Sequence, residues 1–534
     1  MNPAIIRARA VSRTGDPETA HRQFEELLVR GQLRLQPTSA FEQSVATLYN
    51  ANAKFHSAAR ADRDRGHVVK AVGTSNPAML FDTPSLRAAT PRNNNPFPGG
   101  YTFVLRNDYM NDSAWIELGD LLFTLQRYDA AEHCFREVIE FVNPHNPVAY
   151  QGLGKALARE GREREALATL LNVQQKRPTP EITQLIEKIE RDATDRLNQI
   201  PAGETNPSRA LLRAKAHAVF GLRDGDIGAQ HTKAARWYLY QAAKKDPANP
   251  EIAYYRGLCN EGVEGVLKLF DAARKNSTPH NPFQRRAFHR ITEAETAQAC
   301  AAPPIDVAYI VALYNENPYH VDQCLTSILN QEGHHRVGAI VIDDGSTTGA
   351  TADSIRKRYA REISDGSVVV VSEENRGAGG AFARGLKIGK ARGARYFSVT
   401  GGSDAILPDK TTSQIDYLQA HPTVGIVHAQ SRTTDEHGRP FPESGAARYH
   451  TYNLQRFRTG QVNPCSPMEL EGAPIIHGGT TLMTKKAIDA AGYFSRLWPR
   501  GQDWQFWKEL ARSGTELGFM DKDVYVYRRN RTTG

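Results

Sequence analysis

The sequence predicts an α plus α/β protein, in which a helical repeat domain precedes a Rossmann-like domain with a mixed sheet. Apolar residues recur at helical spacing through much of the first three hundred residues. Part of this region repeats itself after roughly 34 residues. From Ile305 onward, short β-branched runs alternate with helical stretches, the order expected of a doubly wound sheet.

Changes in composition divide the chain into four parts. Apolar residues recur at helical spacing in residues 1–72, which predicts helices. Residues 73–110 are rich in proline, asparagine and glycine, which predicts an irregular linker. Residues 111–300 carry the helical repeats. The alanine-rich stretch that ends near residue 301 marks the predicted boundary to the last domain, residues 301–534.

The overall composition excludes several classes of protein. With 40% hydrophobic and 24% charged residues among 534, the chain is neither disordered nor fibrous. No run of eighteen apolar residues predicts a transmembrane helix, and five scattered cysteines indicate neither disulfides nor a zinc site. The net charge is +8, and the basic residues are interleaved with acidic ones, which argues against nucleic acid as the partner. We expect a cytoplasmic protein, with a peripheral position at the inner membrane surface as the alternative.

The repeated segment resembles tetratricopeptide repeats. Small residues in both copies would let two antiparallel helices approach closely, and a proline ends the second helix. Such repeats form a groove that binds a protein partner or supports self-association, although a purely structural scaffold is an equal alternative. A weaker third copy surrounds Ala235 and Gly257. The matched positions are Trp115, Leu118, Gly119, Leu122, Ala131, Phe135 and Pro144, followed by Tyr150, Leu153, Gly154, Leu157, Ala166, Leu170 and Pro178.

The most informative segment of the α/β part is AIVIDDGS. Its apolar run stops at two acids, Asp343 and Asp344, which a glycine and a serine follow. The apolar, mostly β-branched residues before them predict a buried parallel strand. In open α/β sheets, ligands bind beyond the carboxyl ends of such strands. Neither a P-loop nor a dinucleotide fingerprint is present in the sequence.

The ordered motifs of residues 305–534 resemble those of the family 2 glycosyltransferases with the GT-A fold. They are VALYNE, VIDDGSTTGAT, ENRGAGGAFARGLKIG, ILPDK, GGTTLMTKKAIDAAGYF and GQDWQFWKELARSG. The resemblance implies inverting transfer of a sugar from a UDP-, GDP- or dTDP-linked donor, in cell-surface polysaccharide or glycoconjugate biosynthesis. The acceptor would be a glycan, a lipid-linked intermediate, a small molecule or a protein.

The resemblance also implies a site for the nucleotide sugar. Asp343 and Asp344 could accept hydrogen bonds from the base and ribose, although a turn and helix cap is the alternative for the same residues. Arginines would serve the phosphates. The remaining candidates are Tyr314, Asn315, Glu316, Asn375, Arg376, Gly377, Arg384, Ser403 and Asp404.

Asp503 is the candidate catalytic base. It matches the acid of the family's (E/D)D motif, where Gln502 replaces the first acid. A positioned base contributes about a hundred- to ten-thousand-fold in rate, and a helix N-cap is the alternative role. The predicted acceptor contacts are His477, Gly478 and Trp504, with a structural histidine and a core tryptophan as the alternatives for the first and the last. The polar stretch between residues 429 and 472 is predicted to be an acceptor-side insertion or lid.

The sequence departs from the family where a metal would bind. The DxD positions hold Gly401 and Ser403, and Asn530 replaces a histidine late in the chain. We therefore expect no cofactor and reduced or no dependence on a divalent metal, with Arg528, Arg529 and Arg531 as the diphosphate clamp. Two alternatives stay open: weak Mg²⁺ or Mn²⁺ binding by Asp404, or an inactive nucleotide-sugar-binding or scaffold protein.

Overall fold

The computed structural model describes residues 112–124, 126–204, 206–260, 263–276, 282–440, 476–494 and 502–528. Two compact units, Met1–Ile189 and Glu190–Gly534, divide the chain. The predicted helices of residues 1–72, the predicted linker and most of the predicted lid lie outside the described residues, as do Cys465, Arg529, Asn530 and Arg531. No helix among the described residues is long and apolar enough to cross a membrane.

The first unit is helical over its described residues. Helices α1 (Asp112–Thr124) and α2 (Tyr128–Glu137) form one hairpin, and α3 (Pro147–Arg159) and α4 (Glu163–Lys176) form the next. The helices of each hairpin come close together at the predicted small residues. A Cβ on Gly119 would lie 2.7 Å from the Phe135 ring, and one on Gly154 would lie 2.7 Å from Leu170. The hairpins agree with the predicted helical repeat, and its kinship to tetratricopeptide repeats stays a prediction.

Helix α5 (Pro180–Gln199) contains the boundary between the units, and the second unit continues with five further helices. Helices α6 and α7 form an antiparallel hairpin, and each later helix packs on the one before it. In α8, a Cβ on Gly257 would lie 2.5 Å from the Phe270 ring. The bounds are Pro207–Phe220 for α6, Gly225–Lys245 for α7, Pro250–Leu258 for α8, Val263–Lys275 for α9 and Pro282–Cys300 for α10.

Eight strands form one mixed sheet in the described part of the second unit, in the order β3-β2-β1-β4-β7-β6-β8-β5. Strands β3, β2, β1 and β4 are parallel, β7 is antiparallel to both neighbours, and β5 pairs antiparallel with β8. The bounds are Val307–Leu313 for β1, Val337–Asp344 for β2, Val368–Glu373 for β3, Tyr396–Gly401 for β4, Ala405–Ile406 for β5, Val424–Thr434 for β6, Leu482–Thr484 for β7 and Glu516–Arg528 for β8.

Helices cover both faces of this sheet and bury a hydrophobic core on each side. The predicted α/β architecture with a mixed sheet is therefore confirmed. The helices are α11 (Pro318–Leu329), α12 (Ala352–Arg358), α13 (Ala360–Ser364), α14 (Ala378–Ala391), α15 (Lys410–Ala420), α16 (Lys485–Ala491) and α17 (Gln502–Arg512), with a 3₁₀ turn at Gly478–Thr480.

Helix α10 covers the edge strand β3, although the sequence assigns that helix to the preceding domain. The Thr292 hydroxyl donates to the Ser372 carbonyl over 2.6 Å, and the Glu295 carboxylate accepts from the Ser372 N–H over 2.7 Å. Arg356 pairs with the same Glu295 at 2.6 Å. An uncovered edge strand can pair with another chain. Because α10 covers the edge of β3, it belongs structurally to the α/β fold.

Candidate active site

A pocket of about 280 Å³ lies where β1, β2 and β4 end. The carboxyl ends of these parallel strands meet the 3₁₀ turn and the first turn of α17, as the sequence predicts for an open α/β sheet. Four of the lining residues carry carboxyl groups. The lining is Ala312, Leu313, Tyr314, Glu316, Asp344, Ala378, Phe382, Val399, Thr400, Gly401, Asp404, His477, Gly478, Gly479, Gln502, Asp503 and Tyr525.

The adjacent acids at the end of β2 have different roles. Asp344 lines the pocket, and its two oxygens accept the N–H groups of Arg376 and Gly377 at 2.6 and 2.9 Å. Burial, together with the charge of Glu373, raises its pKa to about 8. Asp343 does not line the pocket; its carboxylate accepts the Ser346 and Ala352 N–H groups at 2.9 and 2.7 Å. For Asp343 the turn and helix-cap alternative describes the structure.

The VALYNE segment supplies two lining residues and one that shapes the adjacent loop. Tyr314 and Glu316 line the pocket, and burial raises the pKa of Glu316. Asn315 has a left-handed φ of 56° and accepts the Thr347 and Thr348 N–H groups at 2.8 and 3.0 Å. Asn315 thus supports the loop after β2, and its predicted donor contact stays a prediction.

The residues of the ENRGAGG segment act mainly through their backbone. Arg376 and Gly377 donate N–H groups to Asp344, and Gly377 has a φ of 78°, where glycine is favoured. Asn375 is exposed beside Gly345, whose Cβ, if present, would lie 3.0 Å from the Asn375 nitrogen. None of these three residues lines the pocket.

Arg384 does not contact the pocket, which corrects its assignment to phosphate. Its guanidinium is buried at 3% exposure and donates to the Glu373 carboxylate over 2.6 Å and to the Thr296 hydroxyl over 3.3 Å. A helical arginine of this kind looks available in the sequence, but here it neutralises the acid at the end of β3. Its role is to support the strand that lies next to Asp344.

The segment with the altered DxD positions is tied to β8. Asp404 is buried, and its oxygens accept the Tyr525 hydroxyl at 2.7 Å and the Arg528 N–H at 2.8 Å. Burial raises the pKa of Asp404 to about 7. The Arg528 guanidinium donates to the Ser403 carbonyl over 2.6 Å and also to Gln323. A fixed cation thus lies beside the positions where the family carries metal ligands.

These residues do not fit a divalent metal. Hard cations take several oxygen ligands, whereas Gly401 offers no side-chain ligand and both Asp404 oxygens already accept hydrogen bonds. Among the described residues around the pocket, no three carboxylate, imidazole or thiolate atoms converge on one point. The guanidinium of Arg528 at Ser403 supplies positive charge in this segment instead.

Asp503 stands in the first turn of α17 and lines the pocket. Its Oδ1 accepts the Trp504 N–H at 2.9 Å, which orients the carboxylate. Burial raises its pKa, while backbone N–H groups, including that of Gly478, act in the opposite direction. The position of a Cβ on Gly478 would be 3.9 Å from the Asp503 Oδ2, so the glycine keeps the approach to this oxygen open.

Of the predicted acceptor residues, His477 and Gly478 line the pocket, and Trp504 does not. The His477 ring packs against Tyr525 and Tyr527, with centroids 5.3 and 4.7 Å apart. The Trp504 ring is covered by Lys508, whose Nζ lies 4.8 Å from its centroid. Of the first turn of this helix, Gln502 and Asp503 line the pocket, and the acceptor assignment of Trp504 stays a prediction.

Sequence reasoning missed a buried lysine beneath the pocket. Lys410 is fully buried, and its Nζ donates to the Ser398 hydroxyl and the Gly479 carbonyl, both over 2.7 Å. It also lies 5.8 Å from the centroid of Tyr525, the ring that holds Asp404. Burial lowers the pKa of Lys410 to about 7. The quoted motif ILPDK contains this lysine, but nothing in it indicates burial.

Comparisons with known proteins agree with the motifs. Residues 309–489 match the family model described as glycosyl transferase family 2. The amylovoran biosynthesis glycosyltransferase AmsE of Erwinia amylovora is 30% identical over 132 residues, 24% of this chain and 47% of AmsE. An uncharacterized glycosyltransferase of Haemophilus influenzae is 25% identical over 235 residues, 42% of this chain and 67% of that protein. This chain thus spans about half the length of AmsE.

Solved structures with partial similarity were also found. Residues 1–349 of S. aureus TarS in complex with UDP are 17% identical with a TM-score of 0.32, over 42% of this chain and 61% of that one. The mannosyltransferase PcManGT from Pyrobaculum calidifontis, in complex with GDP-Man and Mn²⁺, is 20% identical with a TM-score of 0.31, over 50% of this chain and 68% of that one. The family match covers residues 309–489, which include the ends of β1, β2 and β4 at the pocket.

Proposed function

We propose that this protein is an inverting GT-A glycosyltransferase that moves a sugar from a nucleotide diphosphate sugar to a hydroxyl acceptor without a divalent metal. The observation that carries the proposal is the position of Asp503 in the strand-end pocket, which Asp344 and Asp404 also line. The family 2 match over residues 309–489 supports the reaction class.

Asp503 would act as the general base. The acceptor oxygen attacks the anomeric carbon, its proton passes to the Asp503 carboxylate, and the bond between that carbon and the diphosphate oxygen breaks with its electron pair going to the diphosphate. One displacement inverts the anomeric configuration. Because burial raises the pKa of Asp503, its carboxylate is a stronger base than an exposed aspartate.

Protonation explains how a pocket with four carboxyl groups could accept a diphosphate. The pKa values of Asp344 and Asp404 are raised to about 8 and about 7, so both groups carry less than full negative charge near neutral pH. Repulsion of the donor would therefore be smaller than the residue types suggest. The same property predicts that donor binding weakens as the pH rises through this range.

Arg528 is the described member of the proposed clamp, with Arg529 and Arg531 following it in the sequence. A guanidinium has five N–H donors, and the structure gives two of those of Arg528 a partner within the described residues. The remaining donors could bind the departing diphosphate. A fixed cation of this kind stabilises the charge that develops as the bond breaks.

The donor nucleotide, the acceptor and the setting are parts of the same proposal. The donor would be linked to UDP, GDP or dTDP, and the acceptor would be a glycan, a lipid-linked intermediate, a small molecule or a protein. The N-terminal helical hairpins would bind a protein partner or support self-association. A role in cell-surface polysaccharide or glycoconjugate synthesis, at the inner membrane surface, would suit a lipid-linked acceptor.

A donor screen tests the reaction class. Thermal shifts with UDP-, GDP- and dTDP-sugars identify the donor, since a bound ligand raises the unfolding midpoint, and NMR of the product then gives its anomeric configuration. Inversion is expected. Retained configuration would refute the single-displacement mechanism, and binding without transfer or hydrolysis would favour the inactive sugar-nucleotide-binding protein.

A chelator experiment tests the clamp separately. We expect turnover to be unchanged in excess EDTA, strongly reduced in Arg528→Met and partly retained in Arg528→Lys, which keeps the charge. Arg432→Met, on the exposed part of β6, is the matched control because its guanidinium pairs with Asp523 at 2.9 Å and the residue does not line the pocket. Loss of turnover in EDTA with recovery in Mn²⁺ would contradict the clamp.

A further inference from the structure

Helix α7 exposes a narrow stripe of two lysines and two aromatic residues, far in sequence from the pocket. Lys233, Trp237, Tyr240 and Lys244 follow one another at intervals of three or four residues, so they share one face over about 16 Å. Trp237 is 48% exposed and Tyr240 is 52% exposed. We call these four residues the α7 stripe.

The opposite face of α7 is buried, so the α7 stripe faces solvent. Ala235, Tyr238, Leu239 and Ala242 pack into the helical core of the second unit. The Arg213 guanidinium donates to the Tyr238 hydroxyl over 2.9 Å, which fixes the helix on α6. The helix is therefore already held in place by its inner face, and the exposed aromatics are not needed for its packing.

The charge along this part of α7 has one sign. The segment from Lys233 to Lys245 reads KAARWYLYQAAKK and contains four cationic residues and no acid. The first acids on either side along the chain are Asp226, about two turns before, and Asp246. A cationic helix face that also carries tryptophan and tyrosine is typical of segments that lie on anionic lipid.

We propose that the α7 stripe binds the anionic headgroup surface of a membrane. Tryptophan and tyrosine favour the depth of the lipid headgroups. There the apolar part of the ring meets the acyl chains, while the N–H or O–H group stays hydrated. The lysines at both ends would meet lipid phosphates, with their aliphatic stems lying along the boundary. The stripe would thus hold the glycosyltransferase domain at a lipid surface.

The contacts of the aromatic rings favour lipid over a glycan as the occupant. A sugar stacks on the open face of a ring, but the Lys244 Nζ lies 4.8 Å from the Tyr240 centroid and covers that face. Trp237 is fixed by an edge contact with Tyr238, with centroids 4.8 Å apart and planes at 86°. Insertion at headgroup depth needs only the exposed edges of these rings.

Co-sedimentation of the full chain with vesicles tests the proposal. We expect binding to phosphatidylcholine vesicles that contain phosphatidylglycerol and none to phosphatidylcholine alone. Each lysine near an anionic surface contributes roughly fivefold in affinity, so Lys233→Gln with Lys244→Gln should weaken binding by roughly 25-fold. The double variant Trp237→Ser with Tyr240→Ser should bind more weakly than the lysine variant, since it removes the apolar contact of the two rings with lipid.

Two controls separate the stripe from general charge and hydrophobicity. Ile227→Ser removes the most exposed large hydrophobic residue of the same helix, at 65% exposure, and Lys188→Gln removes an exposed lysine elsewhere. Both should bind vesicles like the unchanged protein. Equal binding to neutral vesicles, or stripe variants that bind like the controls, would overturn the proposal.

Folding and self-association are checked on the same samples. The lysine variant should keep the unfolding midpoint of the unchanged protein, because both side chains are exposed, and it decides the question even if the aromatic variant unfolds. Light scattering reports the oligomeric state. A change of mass in the stripe variants without a change in vesicle binding would assign the stripe to a second copy of this chain and refute the lipid proposal.

Discussion

Replacement of Gly479 by alanine tests how the pocket wall is held. A Cβ at this position would lie 2.5 Å from Cε1 of Tyr525 and closer still to two further atoms of that side chain. Tyr525 is fully buried and donates its hydroxyl to Asp404 over 2.7 Å, so its ring has little room to move. The added methyl group must therefore displace either the ring or the 3₁₀ turn.

The expected cost follows from these contacts. Overpacking of a buried site costs about 1–3 kcal/mol, and loss of a hydrogen bond to a charged group costs about 1.5–3 kcal/mol. The two together predict a loss of roughly 2.5–6 kcal/mol. For a unit of this size the midpoint of thermal unfolding should fall by roughly 3–8 °C, and turnover should fall because Asp404 loses its fixed position.

Scanning calorimetry and donor turnover on two matched glycine variants complete the experiment. Gly478→Ala should keep the midpoint, because its Cβ would meet nothing closer than Val399 at 3.4 Å, although it narrows the approach to Asp503. Gly203→Ala has no neighbour within 4 Å and should keep both properties. If Gly479→Ala unfolds at the same temperature and turns over normally, the described hold on Tyr525 is refuted.

Three further predictions concern buried charges. Arg384→Met should destabilise the protein by about 3–5 kcal/mol, since it leaves the Glu373 carboxylate buried and unpaired, and adding Glu373→Gln should restore part of the midpoint; no restoration would contradict the pairing. For Lys410, whose folded pKa of about 7 lies below the ordinary lysine value of 10.5, the unfolded chain binds more protons between these values. Stability relative to Lys410→Met should therefore rise by about 1.4 kcal/mol per pH unit from pH 7 to 10, and a flat difference would contradict the lowered pKa of the buried amine. Donor affinity, measured by calorimetric titration, should fall from pH 7 to 9 as Asp344 and Asp404 ionise, and Asp344→Asn should remove the part of that fall that is due to Asp344.

The sheet and the place of the site follow from local sequence signals. The β-branched runs that begin at Val307, Val337 and Val368 form adjacent parallel strands, and the first two end at the pocket. Asp503 stands in the first turn of its helix and reaches the same pocket. These predictions succeed because strand burial and helix starts depend on residues that are close in sequence.

The individual roles of the site residues could not be predicted in the same way. Asp343 and Asp344 have the same side chain, yet successive residues of a strand point to opposite faces, so only one lines the pocket. Arg384 finds Glu373 and Thr296 through tertiary contacts. Lysine is almost never fully buried, so sequence patterns would place Lys410 on the surface.

Turnover of Asp503→Asn with the identified donor and an acceptor is the most direct test of the proposed mechanism. The account predicts that kcat falls by roughly 10²- to 10⁴-fold while donor affinity, measured by calorimetric titration, is unchanged. Asp353→Asn, which also alters a first-turn helix aspartate but is 85% exposed, should have normal turnover. Normal turnover in Asp503→Asn would contradict the assignment of the base and with it the mechanism.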